Sequence, residues 1–272
     1  MASVAGRQMS WEQAVCWLKS QPEKAEIVRA CFYDDPLIEA AERYYNSSEW
    51  RAVRALIGPA RGRTLDIGAG RGISSFALAK DGWTTVALEP DPSDEVGAGA
   101  IRRLSLESGL KLEVVESWGE SLPFDSNAFE LVHCRQMLHH ARDLGKLCRE
   151  IMRVLKPGGI MIATREHVLS HREDLAEFLR NHPLHHLYGG ENAYLLREYL
   201  AAIEAGGLRL ISVLNPFQSD INAFPETVES IKERLARKLH LPSAGLIPKW
   251  AMAALGGMMR TPGRSYTFIA RK

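Results

Sequence analysis

The sequence predicts an α/β fold, in which helices cover both faces of a mostly parallel β-sheet. From residue 64 onward, short apolar runs of strand type alternate with stretches of helical periodicity, as is typical of doubly wound sheets. The alternation begins in residues 63–80, where an apolar run leads into Gly68, Gly70 and Gly72 and then into a helical pattern. A strand followed by a glycine loop and a helix is the usual opening of a nucleotide-binding unit.

Length and composition limit the class of protein. The chain has 272 residues, of which 46% are hydrophobic and 25% charged, as is ordinary for a globular protein. That length suits one large domain, or one domain with an appended helical lid. The net charge of +1 provides no basic field for binding nucleic acid.

Three features bear on the location of the protein. The four cysteines form no CxxC pair, which favours a reducing, cytoplasmic compartment. The first residues lack the charged start and apolar core of a signal peptide. The most apolar late stretch, residues 246–259, is interrupted by Pro248 and Lys249 and is too short to span a bilayer. We expect a cytoplasmic monomer or homodimer without stable membrane insertion.

Residues 1–60 are predicted to form an N-terminal helical lid. Ser10 and Gln13 fit a capping box at the start of its first helix. The aromatic residues of this segment are interpreted as core packing against the sheet. An alternative interpretation places Tyr44 or Tyr45 over the ligand site.

Residues 61–272 are predicted to form the main domain. Strands are expected at residues 64–67, 84–88, 111–115, 131–134, 160–163, 208–214 and 266–270. Helices are expected at residues 73–80, 93–108 and 143–155, with two more after the fifth strand. Residues 216–264 contain helical segments but no strand pattern. We interpret them as an insertion that caps the substrate before the last strand.

Features around the glycine loop indicate the class of ligand. A dinucleotide loop requires the spacing G-x-G-x-x-G, which fails here because position 73 is Ile73. Asp66 precedes the loop, and a carboxylate there suits a ligand that carries an ammonium group. Glu89 ends the second strand and can accept hydrogen bonds from both hydroxyls of a ribose. Together these residues indicate a nucleoside that carries an amino acid.

Four segments occur in the order and spacing of one family: LDIGAGRG (65–72), ALEPD (87–91), GESLPFDSNAFELVHCRQMLHH (119–140) and REIMRVLKPGGIMIAT (149–164). Over about residues 60–165 the chain resembles class I S-adenosylmethionine-dependent methyltransferases of the small-molecule group, with a ubiquinone/menaquinone-biosynthesis type of core. The resemblance implies S-adenosylmethionine as the cofactor. It also implies a Rossmann-like, doubly wound, mostly parallel sheet of seven strands with one antiparallel strand.

The resemblance implies a role for each matched position. The loop at 66–70 would border the methionine part of the cofactor, and Glu89 would bind the ribose. Residues 118–120 would flank the adenine, while Cys134 and Arg135 would present backbone to the amino group. The cofactor-binding positions are thus Asp66, Gly68, Ala69, Gly70, Glu89, Pro90, Trp118, Gly119, Glu120, Cys134 and Arg135.

Trp118 departs from the family pattern, which often has an acidic residue at this position to meet the adenine amino group. Either Glu120 or a backbone carbonyl takes that hydrogen bond, or Trp118 covers the adenine by stacking. In a further interpretation Trp118 simply packs in the protein shell. These alternatives remain open at the level of sequence.

Histidines that follow the fourth and fifth strands are candidates for a catalytic base. An open α/β sheet binds its ligands beyond the carboxyl ends of its strands, and histidine exchanges protons near neutral pH. His167 is preferred because it belongs to a polar cluster directly after a buried strand. His139 and His140 are the other candidates, although in the resembling family this pair is largely a structural corner.

The stretch 182–191 adds further polar residues, among them Tyr188 and Glu191. His182, His185 and His186 have a spacing that metal sites use. Pro183 and the lack of a clear third ligand argue against such a site, so we expect no metal.

These features predict an S-adenosylmethionine-dependent methyltransferase that acts on a small-molecule acceptor. Oxygen is favoured as the accepting atom because of the histidines beside the expected pocket. The alternative is a catalytically inactive S-adenosylmethionine-binding protein with a structural or regulatory role. A nicotinamide-dependent dehydrogenase is disfavoured by the glycine spacing.

Overall fold

The computed structural model describes residues 8–60 and 62–272, and its centre is a mixed β-sheet. The strands are β1 (Arg63–Ile67), β2 (Thr84–Leu88), β3 (Leu112–Val115), β4 (Phe129–Arg135), β5 (Leu155–Leu169), β6 (Tyr194–Leu195), β7 (Arg209–Leu214) and β8 (Arg264–Arg271). Their order is β3–β2–β1–β4–β5–β8–β7, and the two-residue β6 pairs with β5. Only β8 pairs in antiparallel fashion in the described sheet, with β5 and β7. The predicted doubly wound α/β fold is confirmed, with β6 as an addition.

Helices lie before, between and after these strands. They are α1 (Trp11–Lys19), α2 (Ala25–Ala30), α3 (Leu37–Tyr45), α4 (Ser48–Ile57), α5 (Ile73–Lys80), α6 (Ala98–Ser108), α7 (Leu144–Val154), α8 (Asp174–Asn181), α9 (His185–Tyr188), α10 (Leu196–Ala205), α11 (Asp220–Ala223), α12 (Val228–Lys238) and α13 (Lys249–Met258). The predicted capping box is present at α1, where Ser10 and Gln13 each accept the other's backbone N–H. Among the described residues, no helix combines the length and apolar character needed to cross a membrane.

The sheet separates two hydrophobic cores, because successive side chains of a strand point to opposite faces. Leu65 and Ile67 of β1 pack on one face with the apolar stripe of α7. Leu131 of β4 and Ile162 of β5 pack on the other face with α3, α4 and α5. The carboxyl ends of the parallel strands therefore meet at one edge of the sheet, between the helices that pack on its two faces.

Strand β5 is much longer than the four residues predicted for it. A β-bulge lies between Ala163 and Glu166, and there Arg165 adopts a positive φ of 59°. After the bulge the pairing with β8 resumes, through Glu166 with Tyr266 and His167 with Ser265. The bulge reorients the chain without ending the strand, so Glu166 and His167 lie within β5 and not after it.

The insertion before the last strand is helical, as predicted. Helix α11 packs against α4, β5 and β8. Helices α12 and α13 bury Ile231, Ala236, Ile247 and Met252 in a cluster of their own. Residues 216–264 are not among those that line the cavity described below. Their expected role as a cap over the substrate stays a prediction.

The N-terminal helices pack on the sheet through aromatic side chains. Tyr44 has no exposed surface and packs against Phe32 and Trp50. The hydroxyl of Tyr45 donates to Asp81 at 3.0 Å. Neither tyrosine lines the cavity, so both belong to the packing of the fold and the alternative placement over the ligand is wrong. The first seven residues of the predicted lid, and Arg61 at the predicted domain boundary, lie outside the described residues.

A buried ion cluster fixes α4 to the carboxyl edge of the sheet. Glu49 has no exposed surface and accepts from Arg135 at 2.6 and 3.0 Å. Arg165 lies 3.9 Å from the same carboxylate and donates to the carbonyls of Ile221 and Phe224 beside α11. Burial opposes the negative charge, but the two guanidinium groups hold the pKa of Glu49 below its ordinary value.

Replacing Glu49→Ala is expected to lower the free energy of unfolding by about 3–5 kcal/mol, because it leaves a buried guanidinium group without its partner. Urea-induced unfolding, followed by circular dichroism, measures this change. The matched control is Glu39→Ala on the exposed face of α3, which is expected to change stability little. Equal stability losses in the two variants would contradict the assigned role of Glu49.

Candidate functional site

A cavity of about 680 Å³ lies at the carboxyl edge of the sheet. Its floor is formed by residues that follow β1, β2, β3 and β4, and its far side by the segment 182–191. Trp11, Leu18 and Ile27 from α1 and α2 line it from above. A volume of this size suits a small-molecule ligand that is largely enclosed by protein.

The glycine loop, residues 68–72, forms one end of the cavity. The backbone N–H groups of Gly68 and Ala69 donate to the carbonyl of Leu88, at 2.9 and 3.1 Å. Gly68 and Gly70 have φ values of 67° and 54°, which glycine adopts without strain. A Cβ added at Gly68 would lie 2.3 Å from Cγ of Met137, whereas a Cβ at Gly70 would meet nothing nearer than 4.0 Å. Gly70 therefore borders open space that a ligand can use.

Glu89 lies beside this loop with its carboxylate in the cavity wall. Oε2 accepts from the N–H of Gly70 at 2.7 Å, and Oε1 accepts from the N–H of Asp91 at 3.0 Å. Each oxygen keeps a second lone pair, so the carboxylate can still accept from a vicinal diol. Burial raises the pKa of Glu89 to about 7. This geometry agrees with the predicted ribose-binding role.

Asp66 does not line the cavity, contrary to the prediction. Its carboxylate is 1% exposed and accepts from the hydroxyl of Ser75 at 2.6 Å and contacts Nδ1 of His133 at 2.7 Å. Because side chains alternate along a strand, Asp66 points to the face opposite Ile67, where α5 packs. It fixes α5 and β4 to β1 and is not an ionic partner for a ligand.

Trp118, Gly119 and Glu120 all line the cavity. Trp118 is 56% exposed, and the guanidinium of Arg142 lies 4.9 Å above its ring, so this tryptophan is not packed in the shell. Oε1 of Glu120 accepts from the N–H of Arg142 at 2.8 Å. The segment thus brings a flat aromatic ring and a carboxylate to the end of β3, where the prediction placed the adenine.

Of the two residues at the end of β4 that were predicted to present backbone to the cofactor, Arg135 lines the cavity and Cys134 does not. Cys134 has no exposed surface and belongs to the core beneath α7. Arg135 lines the cavity, as do Gln136 and Met137, which follow it. The strand ends one residue later than predicted, and the residues that line the cavity here are 135–137.

The opposite end of the cavity is a polar group, here named the histidine cluster: His139, His140, His167, His182 and Glu191. Its members come from three separate segments of the chain. The ring centroids of His139 and His140 are 4.3 Å apart, and those of His139 and His167 are 4.6 Å apart. The predicted histidines therefore lie together, and Glu191 joins them from a segment about 50 residues away.

Glu166 supports the histidine cluster from inside the sheet. Its carboxylate is fully buried and accepts the backbone N–H groups of Met137, Leu138 and His139 at 3.0, 3.0 and 3.2 Å. It also accepts from Nδ1 of His139 at 2.7 Å. Burial nevertheless raises the pKa of Glu166. The carboxylate thus fixes both the corner after β4 and the ring of His139, which sequence reasoning had not recognised.

His167 is one of the residues that line the cavity. Nδ1 donates to the carbonyl of Gly263 at 2.9 Å, so Nε2 keeps its lone pair. In the part of the chain that the structure describes, Nε2 has no hydrogen-bond partner. Burial and the neighbouring His139 lower the pKa of His167 to about 3, which keeps the imidazole neutral at pH 7.

Arg71 fixes the N-terminal helices to the glycine loop. Its guanidinium is almost completely buried and donates to the carbonyls of Phe32 and Asp34 at 3.1 and 3.0 Å. It also forms an ion pair with Asp35 at 2.5 Å. Nothing in the spacing of the glycine loop distinguished this arginine, whose partners precede it by almost 40 residues.

Comparison with known proteins agrees with this geometry. Residues 65–163 match the family model of a methyltransferase domain. A ubiquinone biosynthesis O-methyltransferase from Pseudomonas fluorescens is 33% identical over 107 residues, which are 38% of this chain and 44% of the relative. The chain thus spans less than half of the length of that curated relative.

Solved structures share the fold over most of the chain. The cyclase SpnF has a TM-score of 0.55 at 20% identity, covering 87% of this chain and 80% of that one. Phosphoethanolamine N-methyltransferase 2 from Haemonchus contortus, in complex with S-adenosyl-L-methionine, has a TM-score of 0.57 at 22% identity. That match covers 91% of this chain and 59% of the other.

The fold and the glycine-loop end of the cavity define an α/β domain that binds a nucleoside cofactor. Residues 65–163 match the methyltransferase domain of class I S-adenosylmethionine-dependent methyltransferases, and this match supports S-adenosylmethionine as the cofactor. The predicted family and cofactor are confirmed.

Gly70→Val is expected to abolish cofactor binding, because its side chain would fill the open space beside the loop. Calorimetric titration with S-adenosylhomocysteine measures the affinity. The control is Gly109→Val, at a glycine with a similar φ of 68°, where an added Cβ would have no atom within 4 Å. It carries the same backbone strain away from the cavity. Loss of affinity in both variants, or in neither, would contradict the placement of the cofactor.

Cofactor affinity is expected to fall as the pH drops below about 7, because the ribose hydroxyls donate to the ionised form of Glu89. The limiting slope is about tenfold per pH unit. The effect is measured by titrations from about pH 5 to about pH 8, a range that extends below and above the pKa of Glu89. The Glu89→Gln variant is expected to bind the cofactor more weakly, with an affinity that does not change with pH. This result would assign the titration to Glu89 and not to the nearby Asp91. An identical slope in both proteins would assign the titration to another group.

Proposed function

We propose that this protein transfers the methyl group of S-adenosylmethionine to an oxygen atom of a small-molecule acceptor. The observation that supports the proposal is a single cavity with two chemically distinct ends. The glycine loop and Glu89 line one part of it, and the histidine cluster lines another. Such a cavity can hold the methyl donor and an acceptor side by side, which is the main requirement of the reaction.

The reaction is an in-line displacement at the methyl carbon. A lone pair of the acceptor oxygen forms the new C–O bond while the C–S bond breaks, and its electron pair remains on sulfur. S-adenosylhomocysteine is the product, and the hydroxyl proton passes to a base. We assign the base to Nε2 of His167, because its Nδ1 donates to Gly263 and its Nε2 is the accepting nitrogen in the cavity wall.

The lining of the cavity supports an acceptor with an apolar body. Apart from the histidine cluster, the cavity is also lined by the side chains of Trp11, Leu18, Ile27, Tyr33 and Leu184. Trp11 contacts Tyr33 and Tyr188, with ring centroids 6.0 and 4.6 Å apart. Phenols and hydroxylated ring compounds match this combination of aromatic walls and one polar end. The O-methyltransferase name of the Pseudomonas relative supports the same class of acceptor atom.

The N-terminal helices act as a lid in this proposal. Arg71 holds the chain between α2 and α3 against the glycine loop, and the N–H of Met9 donates to the carbonyl of Leu187 at 3.1 Å. These contacts join the lid to both ends of the cavity. The free cysteines support a cytoplasmic location. We further propose that the acceptor site is complete within one chain, whether the protein is a monomer or a homodimer.

A protein that binds S-adenosylmethionine without turnover is the alternative. The fold alone does not choose between the two, since a neighbour such as SpnF is a cyclase. Incubation with S-adenosylmethionine and a panel of phenols, sugars and hydroxy acids, followed by mass spectrometry for S-adenosylhomocysteine, distinguishes them. Cofactor binding without product for any acceptor would favour the alternative.

His167→Ala is expected to lower turnover by about 100-fold or more while leaving the affinity for S-adenosylhomocysteine almost unchanged. Initial rates with the best acceptor of the panel, together with calorimetry, measure both quantities. His171→Ala is the control, because His171 is exposed and lies outside the cavity. Unaltered turnover in His167→Ala would remove this residue as the base.

A further inference from the structure

The histidine cluster contains a group of three donors with the spacing of a metal site. The ligand atoms of His139, His140 and Glu191 all lie within 4.8 Å of one another. Nε2 of His139 and Nε2 of His140 are 3.8 and 3.9 Å from the same oxygen of Glu191. Two ligands of a tetrahedral zinc ion, each about 2.1 Å from the metal, are about 3.4 Å apart. The two distances to Glu191 therefore exceed that separation by only about half an ångström.

The outer contacts of both histidines set the tautomer that a metal requires. Nδ1 of His139 donates to Glu166 at 2.7 Å, and Nδ1 of His140 donates to the carbonyl of Gly190 at 3.2 Å. With the proton on Nδ1, each Nε2 presents its lone pair toward Glu191. Metal-binding histidines are oriented in this way by a carboxylate or a carbonyl behind them.

Glu191 is the anionic donor of the group. It is buried, and among the described residues no lysine or arginine lies within ion-pair distance of it. The hydroxyl of Tyr188 donates to Oε1 and leaves Oε2 toward the two histidines. Burial of a carboxylate that has no cationic side chain beside it is unfavourable in free energy unless another positive charge is supplied. A bound cation would supply it.

His182 has a different role from the other two histidines. Its Nδ1 accepts the backbone N–H of Leu184 at 3.4 Å, which leaves the proton on Nε2. That nitrogen lies 3.6 Å from Oε1 of Glu191. His182 therefore orients the carboxylate from outside and is not a ligand.

We propose that His139, His140 and Glu191 bind a divalent transition-metal ion, such as zinc, with an open coordination position facing the cavity. Two imidazoles and one carboxylate are the ligand set of many catalytic zinc sites. The proposal replaces the expectation of no metal, which considered only the spacing of His182, His185 and His186. The ion joins residues that are separated by about 50 positions in the chain.

The open position gives the ion a role at the acceptor, and this part rests on the proposed methyl transfer. An acceptor hydroxyl that binds there is polarised by the ion, which holds its oxygen near the methyl donor and makes its proton easier to remove. The proton still passes to His167, which is not a ligand. The ion thus selects acceptors whose hydroxyl can reach it.

The test measures metal binding by the full chain, without any added histidine tag and without acceptor or cofactor. The chelator-treated protein is titrated with Co²⁺, followed by visible absorption, and with Zn²⁺, followed by calorimetry. One ion per chain is expected. His140→Ala and Glu191→Gln are expected to weaken binding at least tenfold, and the exposed His186→Ala, outside the cavity, is the control.

Binding of S-adenosylhomocysteine is measured on every variant and shows that the fold and the cofactor site are intact. The proposal is overturned if the wild-type protein binds the cofactor product but no stoichiometric metal. Equal metal affinity in wild type and in both ligand variants would overturn it as well. Metal binding is measured in the absence of turnover. A failure to methylate any acceptor would therefore contradict the proposed function but not the proposed metal site.

Discussion

The geometry of the site depends on the charge that Glu49 brings into the interior. This carboxylate is the counter-ion of Arg135, the last residue of β4, and lies near Arg165 in the bulge of β5. Without it, two guanidinium groups would be buried together at the base of the cavity, at a large desolvation cost. With it, the N-terminal helices, the sheet edge and the insertion become one unit, since Arg165 also binds the carbonyls beside α11.

Arg165 serves this cluster only because β5 bulges at that position. Its positive φ of 59° turns one side chain toward Glu49 and shifts the next residues relative to β8. Glu166 is thereby directed under the corner after β4, where three backbone N–H groups and His139 surround its carboxylate. One local irregularity thus orders both the cation cluster behind the site and the histidine cluster in front of it.

The parts of the fold that follow from local pattern could be predicted from the sequence, and the parts that depend on distant contacts could not. The glycine loop, Glu89 and residues 118–120 lie in contiguous motifs, and all line the cavity. Asp66 and Cys134 belong to the same motifs, but the face to which a strand residue points depends on the neighbouring strands and helices. The continuation of β5 was hidden because a bulge interrupts the alternation that identifies a strand. Glu191 could be named as a polar residue but not placed, since its partners lie about 50 positions earlier.

The two ends of the cavity are built by different means, and this bears on how the chain selects its acceptor. At the glycine-loop end, the shape is set largely by backbone. The glycines have positive φ, the N–H groups of Gly68 and Ala69 donate to the carbonyl of Leu88, and two further N–H groups hold the carboxylate of Glu89. At the acceptor end, the shape is set by side chains from α1, the corner after β4, β5 and the segment 182–191. A backbone-built site tolerates many surrounding sequences, whereas a side-chain-built site changes with each substitution. The cofactor could therefore be predicted from a motif, whereas the histidine cluster consists of residues that only the folded chain brings together.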